Sequence, residues 1–175
     1  MSERSHPVRV VVFRHGPAEL RDPARWPDDR LRPLSRKGVT QTRRVAKGLG
    51  TLLGPVRQIA TSPALRARRT AELLHDALER GPRPTVWPEL DVGVLAAPIF
   101  VPLRRIAGTN RTIVLVGHEP TLAEFIGLAL TGDGVALARL TKGGAACLEF
   151  PRAVRPGAAT LLWLLTRKQL ASAGE

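Results

Sequence analysis

The sequence predicts an α/β fold, a three-layer sandwich with a mostly parallel central sheet flanked by helices on both faces. Three observations point there. Glycine and proline divide the chain into strand-like runs that alternate with helix-like stretches. Val8 to Arg14 and Thr112 to Val116 are rich in β-branched and apolar residues, as in strands buried on both faces. A length of 175 residues, 43% hydrophobic and 24% charged, suits one domain spanning residues 1–175 with a sizeable core.

Val8 to Arg14 is the first predicted strand and ends at His15-Gly16-Pro17. Pro17 to Leu34 is polar and broken by prolines, which lack a backbone donor, so it is expected as a loop beside the site. Ser35 is a predicted N-cap, and Val39, Ala46, Leu49 and Leu53 recur at helical spacing until Gly54-Pro55. Val56 to Thr61 reads as the second strand. Ser62-Pro63 reads as a helix start, with serine as N-cap and proline at the first helical position. Ala67, Ala71, Leu74 and Leu78 form the buried stripe of that helix, and Gly81 ends it. Thr85 to Trp87 is a short third strand leading to Pro88-Glu89-Leu90. The stretch with Pro98 and Pro102 carries weak signals and is expected to include a helix reaching Ala107. Thr112 to Val116 is the fourth strand, ending at Gly117-His118-Glu119-Pro120. Leu122, Phe125, Ile126, Ala129 and Leu130 mark a helix closed by Gly132, and Ala145 to Phe150 and Thr160 to Thr166 complete the sheet as an antiparallel pair.

Charge and cysteine usage narrow the function classes. The net charge is +12, and all but four of the 27 basic residues are arginines, spread from Arg4 to Arg167. No block of five or six like charges occurs, and with no tyrosine and only four phenylalanines there is no stacking platform. The charge therefore reads as compositional, and neither nucleic acid nor membrane is expected as a partner. The first apolar run, Val10 to Phe13, is too short for a signal-peptide core or a membrane span. A single cysteine, Cys147, among small apolar residues excludes an internal disulfide framework, so a cytoplasmic, reduced protein is expected. No His-Glu-x-x-His or paired-Asp motif occurs, and arginines near His15 and His118 would oppose a cation, so no metal or other cofactor is expected.

Three strand ends carry chemistry: Arg14-His15-Gly16, Ser62-Pro63 with Arg66 one turn on, and Gly117-His118-Glu119. Parallel strands present their carboxyl ends at one sheet edge, where open α/β folds bind ligands, so these groups are expected to converge. Two imidazoles, two guanidiniums and two helix starts favour a small tetrahedral anion, and phosphate is the expected occupant. Arginine suits the task because it stays protonated and its planar fork holds two oxygens, including as charge shifts onto them. A neutral imidazole can attack phosphorus and leave again when water attacks. Gly16 permits close backbone approach and leaves room for a carbonyl to accept the other ring N–H. His6, near the terminus, and His75, mid-helix, are expected to be structural or surface residues.

The chain resembles the histidine phosphatase superfamily and, within it, the short bacterial SixA-type phosphohistidine phosphatases. Besides the segments around His15 and His118, the matching pieces are Arg32-Pro33-Leu34-Ser35-Arg36-Lys37-Gly38, Thr61 to Ala71 and Pro88-Glu89-Leu90. The resemblance implies the phosphoglycerate mutase-like fold, a phosphohistidine intermediate on His15, phosphate held by Arg14, His15, Arg66 and His118, and no metal. It implies as substrate a phosphorylated protein histidine or a small phosphate ester. One departure matters: Pro17 stands where SixA-like members often have an acidic residue. The resemblance then points to Glu89 as proton donor, with Glu19 and Asp91 as alternatives. Without an acid, a good leaving group is favoured, and imidazole, with a conjugate-acid pKa of about 6.5, is a far better one than an alkoxide. A phosphate- or phosphoprotein-binding module with little turnover is the other reading.

Overall fold

A computed structural model describes residues 7–106 and 112–175; His6 and Ala107 lie outside them. In chain order the strands and α-helices are β1 (Val8–Arg14), α1 (Arg36–Leu52), β2 (Val56–Thr61), α2 (Leu65–Ala77), β3 (Thr85–Val86), α3 (Phe100–Ile106), β4 (Thr112–Gly117), α4 (Thr121–Thr131), β5 (Ala145–Phe150), β6 (Thr160–Leu165) and α5 (Arg167–Ser172). The six strands form one sheet in the order β3-β2-β4-β1-β5-β6. Neighbours from β3 to β1 are parallel, whereas β5 runs against both β1 and β6. The mostly parallel, helix-flanked sheet is the architecture the sequence predicts.

Alternation along β1 divides the core in two. Val8, Val10 and Val12 face a cluster with Ile99, Phe100 and Leu103 and with Leu122, Phe125, Ile126 and Ala129 of α4. Val11 and Phe13 face Val45, Ala46 and Leu49 of α1, Ala67, Ala71 and Leu74 of α2, and Leu170 of α5. Successive strand side chains point to opposite faces, so a strand buried on both must be apolar throughout. Cys147 lies in the second cluster, where burial pushes its thiol up to about 11. Among the described residues no helix is long and apolar enough to cross a membrane.

Several boundaries depart from the sequence reading. Ser35 caps α1 as expected, its hydroxyl accepting the Gly38 N–H at 2.9 Å. The buried stripe of α1 is Gly38, Thr42, Val45, Ala46, Gly48 and Leu49; Val39 is only half-buried and Leu53 lies past the helix. Ser62 is not the N-cap of α2, which starts at Leu65 after Ala64 and ends at Ala77, short of Gly81. The Ser62 hydroxyl instead accepts the Ala64 N–H and faces His118, so Pro63 lies in the turn before the helix. The loop 17–34 contains a one-turn 3-10 helix, Asp29–Leu31, and the weakly marked stretch after Asp91 forms a 3-10 turn, Ala97–Ile99, running into α3. Helix α5 has no counterpart in the sequence reading because its six residues are too few to establish a period.

Candidate active site

Strand pairing builds the centre of the site. β1 and β4 are adjacent and in register, Arg14 opposite Gly117, so His15 and His118 come directly after paired residues. The His15 N–H donates to the Gly117 carbonyl at 3.1 Å, and the two imidazole rings lie with centroids 5.0 Å apart. β2, on the far side of β4, ends beside them, and the first turn of α2 carries Arg66 to the same edge. His15, Arg66 and His118 are 6%, 3% and 3% exposed, values that demand partners for their polar atoms.

Those partners orient each group. The His15 Nδ1 lies 2.7 Å from the Gly16 carbonyl, which can only accept, so Nδ1 carries the proton and Nε2 of the neutral ring keeps its lone pair. Gly16 itself is held by its N–H to Thr70 Oγ1 at 3.0 Å, and a Cβ there would fall 1.9 Å from Thr42 Oγ1. The Ser62 hydroxyl lies 2.8 Å from His118 Nε2. Arg14 Nη1 donates to the Leu140 carbonyl at 2.7 Å. Arg66 is gripped by one residue: Nη1 donates to the Asp29 carbonyl at 2.6 Å and Nη2 to its carboxylate at 3.0 Å. Arg32 donates to the same carboxylate at 2.8 Å and to the Glu19 carbonyl at 2.8 Å. Arg14 Nε, Arg66 Nε and His118 Nδ1 are buried and have no hydrogen-bond partner among the described residues.

The electrostatics favour an anion. Burial pushes His15 down to about 2, with the facing His118 the next cause; the Gly16 carbonyl opposes the shift, and Arg66 and Arg14 add to it. Burial, then Arg66, pushes His118 down to about 3, against the pull of Asp29. Both imidazoles are therefore neutral at pH 7. Burial also lowers Arg14 and Arg66, but guanidiniums remain protonated at any pH of interest. A neutral nucleophile-capable ring beside two buried cations and unpartnered donors suits a phosphoryl group. Among the described residues no group of three or more His, Cys, Asp or Glu side chains could hold a metal ion.

Four of the residues singled out in the sequence, Arg14, His15, Arg66 and His118, thus come together. Glu89 lies at the same sheet edge, half-buried on the one-turn 3-10 helix Pro88–Leu90, and among the described residues it bonds to none of the four. Asp91 pairs with Arg30 at 3.7 Å and lies near enough to Arg66 for its charge to act there. Among the described residues Glu19 meets this group through its backbone carbonyl, which accepts from Arg32. His75 sits on α2 away from these groups. The sequence reading missed Asp29, Arg32 as its second partner, and Ser62 as a partner of His118. Asp29 had one signal: it lies three residues before the Arg32-Pro33-Leu34-Ser35 segment, on the same turn as Arg32.

The chain is similar to known histidine phosphatases in sequence and in fold. The histidine phosphatase superfamily (branch 1) matches residues 10–91. Phosphohistidine phosphatase SixA of Escherichia coli K12 is 35% identical over 133 residues, 72% of this chain and 76% of that protein. An uncharacterised protein of Picosynechococcus is 43% identical over 119 residues, 67% of this chain and 70% of its own. In three dimensions, protein histidine phosphatase SixA complexed with tungstate superposes with a TM-score of 0.79 at 23% identity, over 93% of this chain and 99% of its own.

Proposed function

Since this chain belongs to the histidine phosphatase superfamily, among its SixA-type members, we propose that it hydrolyses a phosphorylated protein histidine or a small phosphomonoester through a phosphohistidine intermediate on His15. The observation that carries the reading is the hydrogen bond between His15 Nδ1 and the Gly16 carbonyl at 2.7 Å, which leaves Nε2 unprotonated beside Arg14, Arg66 and His118.

In the first step the Nε2 lone pair of His15 forms a bond to phosphorus, while the bond from phosphorus to the leaving atom breaks and its electron pair departs with that atom. Arg14, Arg66 and His118 hold the three phosphoryl oxygens as charge spreads over them. The Ser62 hydroxyl oxygen already accepts the Ala64 N–H, so its own O–H serves Nε2 of His118 and the ring proton belongs on Nδ1, which has no partner among the described residues and is available to a phosphoryl oxygen. In the second step water attacks phosphorus, the P–N bond breaks, and phosphate and neutral His15 result. The guanidiniums supply the charge a metal would otherwise provide, so turnover is metal-independent and a chelator leaves it unchanged. Glu89 is the candidate donor to a poor leaving group. A phosphohistidine whose distal ring nitrogen carries a proton leaves as neutral imidazole and needs that donor least.

Rapid-quench assays with an aryl phosphate are expected to show a burst of leaving group in the wild type and none in His15→Ala. An acid-labile phosphate label on any other residue overturns the mechanism. The binding-module reading is favoured by Pro17 and by the lack, among the described residues, of a bond from Glu89 to the site. Steady turnover of the aryl phosphate, whose leaving group needs no acid, dismisses it.

A further inference from the structure

A second cationic feature shares the sheet edge with His15. β5 opposes β1 and β6 opposes β5, so β6 runs in the direction of β1 and its carboxyl end, Leu165, lies at the same edge as Arg14. Two strand spacings separate them, about 10 Å. At that end a cavity of about 410 Å³ is lined by Thr141, Lys142, Thr166, Arg167 and Lys168. None of its three cations forms an ion pair among the described residues, whereas Arg32 and Arg66 both bond to Asp29. The turn that forms one wall is tied to the site: Gly143 N–H donates to the carbonyls of Arg14 and His15 at 3.2 and 3.0 Å. Arg167 packs on that turn, 3.3 Å from where a Cβ of Gly143 would lie. Exposed Arg139, just before the turn, is near enough to act on the charge of Arg14, so positive charge runs from the catalytic pocket to the cavity.

We propose that this cavity is a docking site for carboxylates of the phosphoprotein substrate, on residues flanking the phosphorylated side chain; the proposal rests on the phosphoprotein reading above. The pocket at Arg66 buries its cation and fixes it with two hydrogen bonds, as a single oxyanion requires. Lys142 and Lys168 are instead exposed charges on long side chains, spread around a wide concavity. Such a surface attracts several separated negative groups without fixing one geometry, and ammonium groups do this as point charges. The lateral offset places those carboxylates a few residues from a phosphoryl group seated at His15.

The test compares wild type with K142Q/R167Q/K168Q and with R43Q/R44Q/K47Q, which removes equal charge from exposed positions on α1. With a phosphohistidine protein as substrate, the cavity variant is expected to raise KM about fivefold or more with kcat unchanged, an effect that shrinks at high salt. Both constants for a small aryl phosphate should stay at wild-type values, and the α1 variant should match wild type on both substrates. An equal rise in KM in the α1 variant, or none in the cavity variant, overturns the proposal. Hexaglutamate titrated into the wild type provides an independent readout: saturable amide shifts at Lys142, Gly143, Arg167 and Lys168, absent in the cavity variant, support carboxylate binding. Shifts elsewhere, or tighter binding of a single-stranded oligonucleotide of equal charge, overturn it. If the wild type turns over only small esters, the phosphoprotein reading falls, and the titration alone decides whether the cavity binds carboxylates.

Discussion

At the scale of single residues, the candidate site depends on how its guanidiniums are aimed. Arg66 points where Asp29 directs it, through one backbone and one carboxylate acceptor, and the same carboxylate holds Arg32. Removing that carboxylate adds net positive charge to the pocket and leaves Arg66 and Arg32 with one backbone acceptor each, the carbonyls of residues 29 and 19, so both are aimed less firmly. Asp29→Ala is therefore expected to lower kcat on an aryl phosphate by roughly ten- to a hundredfold, since small misplacements of a catalytic group have effects of that order. KM should stay level or fall, because the pocket becomes more positive. Asp29→Asn, which keeps the side-chain shape and one side-chain oxygen as acceptor, should recover part of kcat. Steady-state kinetics decide: a raised KM with unchanged kcat would mean that Asp29 contributes to binding and does not position Arg66.

At the scale of elements, the layer beneath the site relies on close approach between helices. α1 and α5 cross where a Cβ on Gly48 would lie 1.7 Å from the Leu170 carbonyl oxygen, and Leu170 is itself fully buried. Backbone cannot yield there as a flexible side chain would, so the helices must separate or tilt. Gly48→Ala is expected to destabilise the fold by about 2 kcal/mol or more, despite the better helix propensity of alanine. Urea denaturation tracked by circular dichroism measures this. A midpoint equal to or above wild type would show that α5 is not packed on α1 as described. The capping box at Thr166, with Gln169 bonded back to it, accounts for how a six-residue helix holds its start on that surface.

At the scale of the whole molecule, two buried neutral histidines link folding to pH. His15 and His118 titrate near 2 and 3 in the folded chain, against about 6.5 when unfolded. Between those values the unfolded chain binds more protons, so stability falls as pH drops below 6.5 and continues falling towards 3. Each imidazole contributes at most about 1.4 kcal/mol per pH unit over that window. Thermal midpoints should therefore decline for the wild type between pH 6.5 and 5 and stay nearly level in a His15→Asn/His118→Asn variant. Parallel profiles for the two proteins would refute the linkage. Above pH 7 neither histidine changes charge, so neither contributes a slope there.

The amino-acid order alone predicts the fold class and points to four residues that the fold brings together, for a local reason. Strands buried on both faces must be largely apolar, so the runs Val8 to Arg14 and Thr112 to Val116 stand out along the chain, and His15 and His118 follow where those runs end. Arg66 was legible because Ser62-Pro63 marks the turn into a helix, and the first turn of that helix carries it. Ser62 shows the limit of such marks, since a serine before a helix has the same local signature whether its hydroxyl caps the helix or faces a histidine 56 residues away. Asp29, the docking cavity and the α1–α5 contact depend on approaches between residues far apart in the chain, as between Asp29 and Arg66, Gly143 and Arg167, and Gly48 and Leu170. No periodicity or spacing along the chain encodes such pairings. They arise when the folded sheet brings its strand ends and loops to one edge and lays its helices against each other.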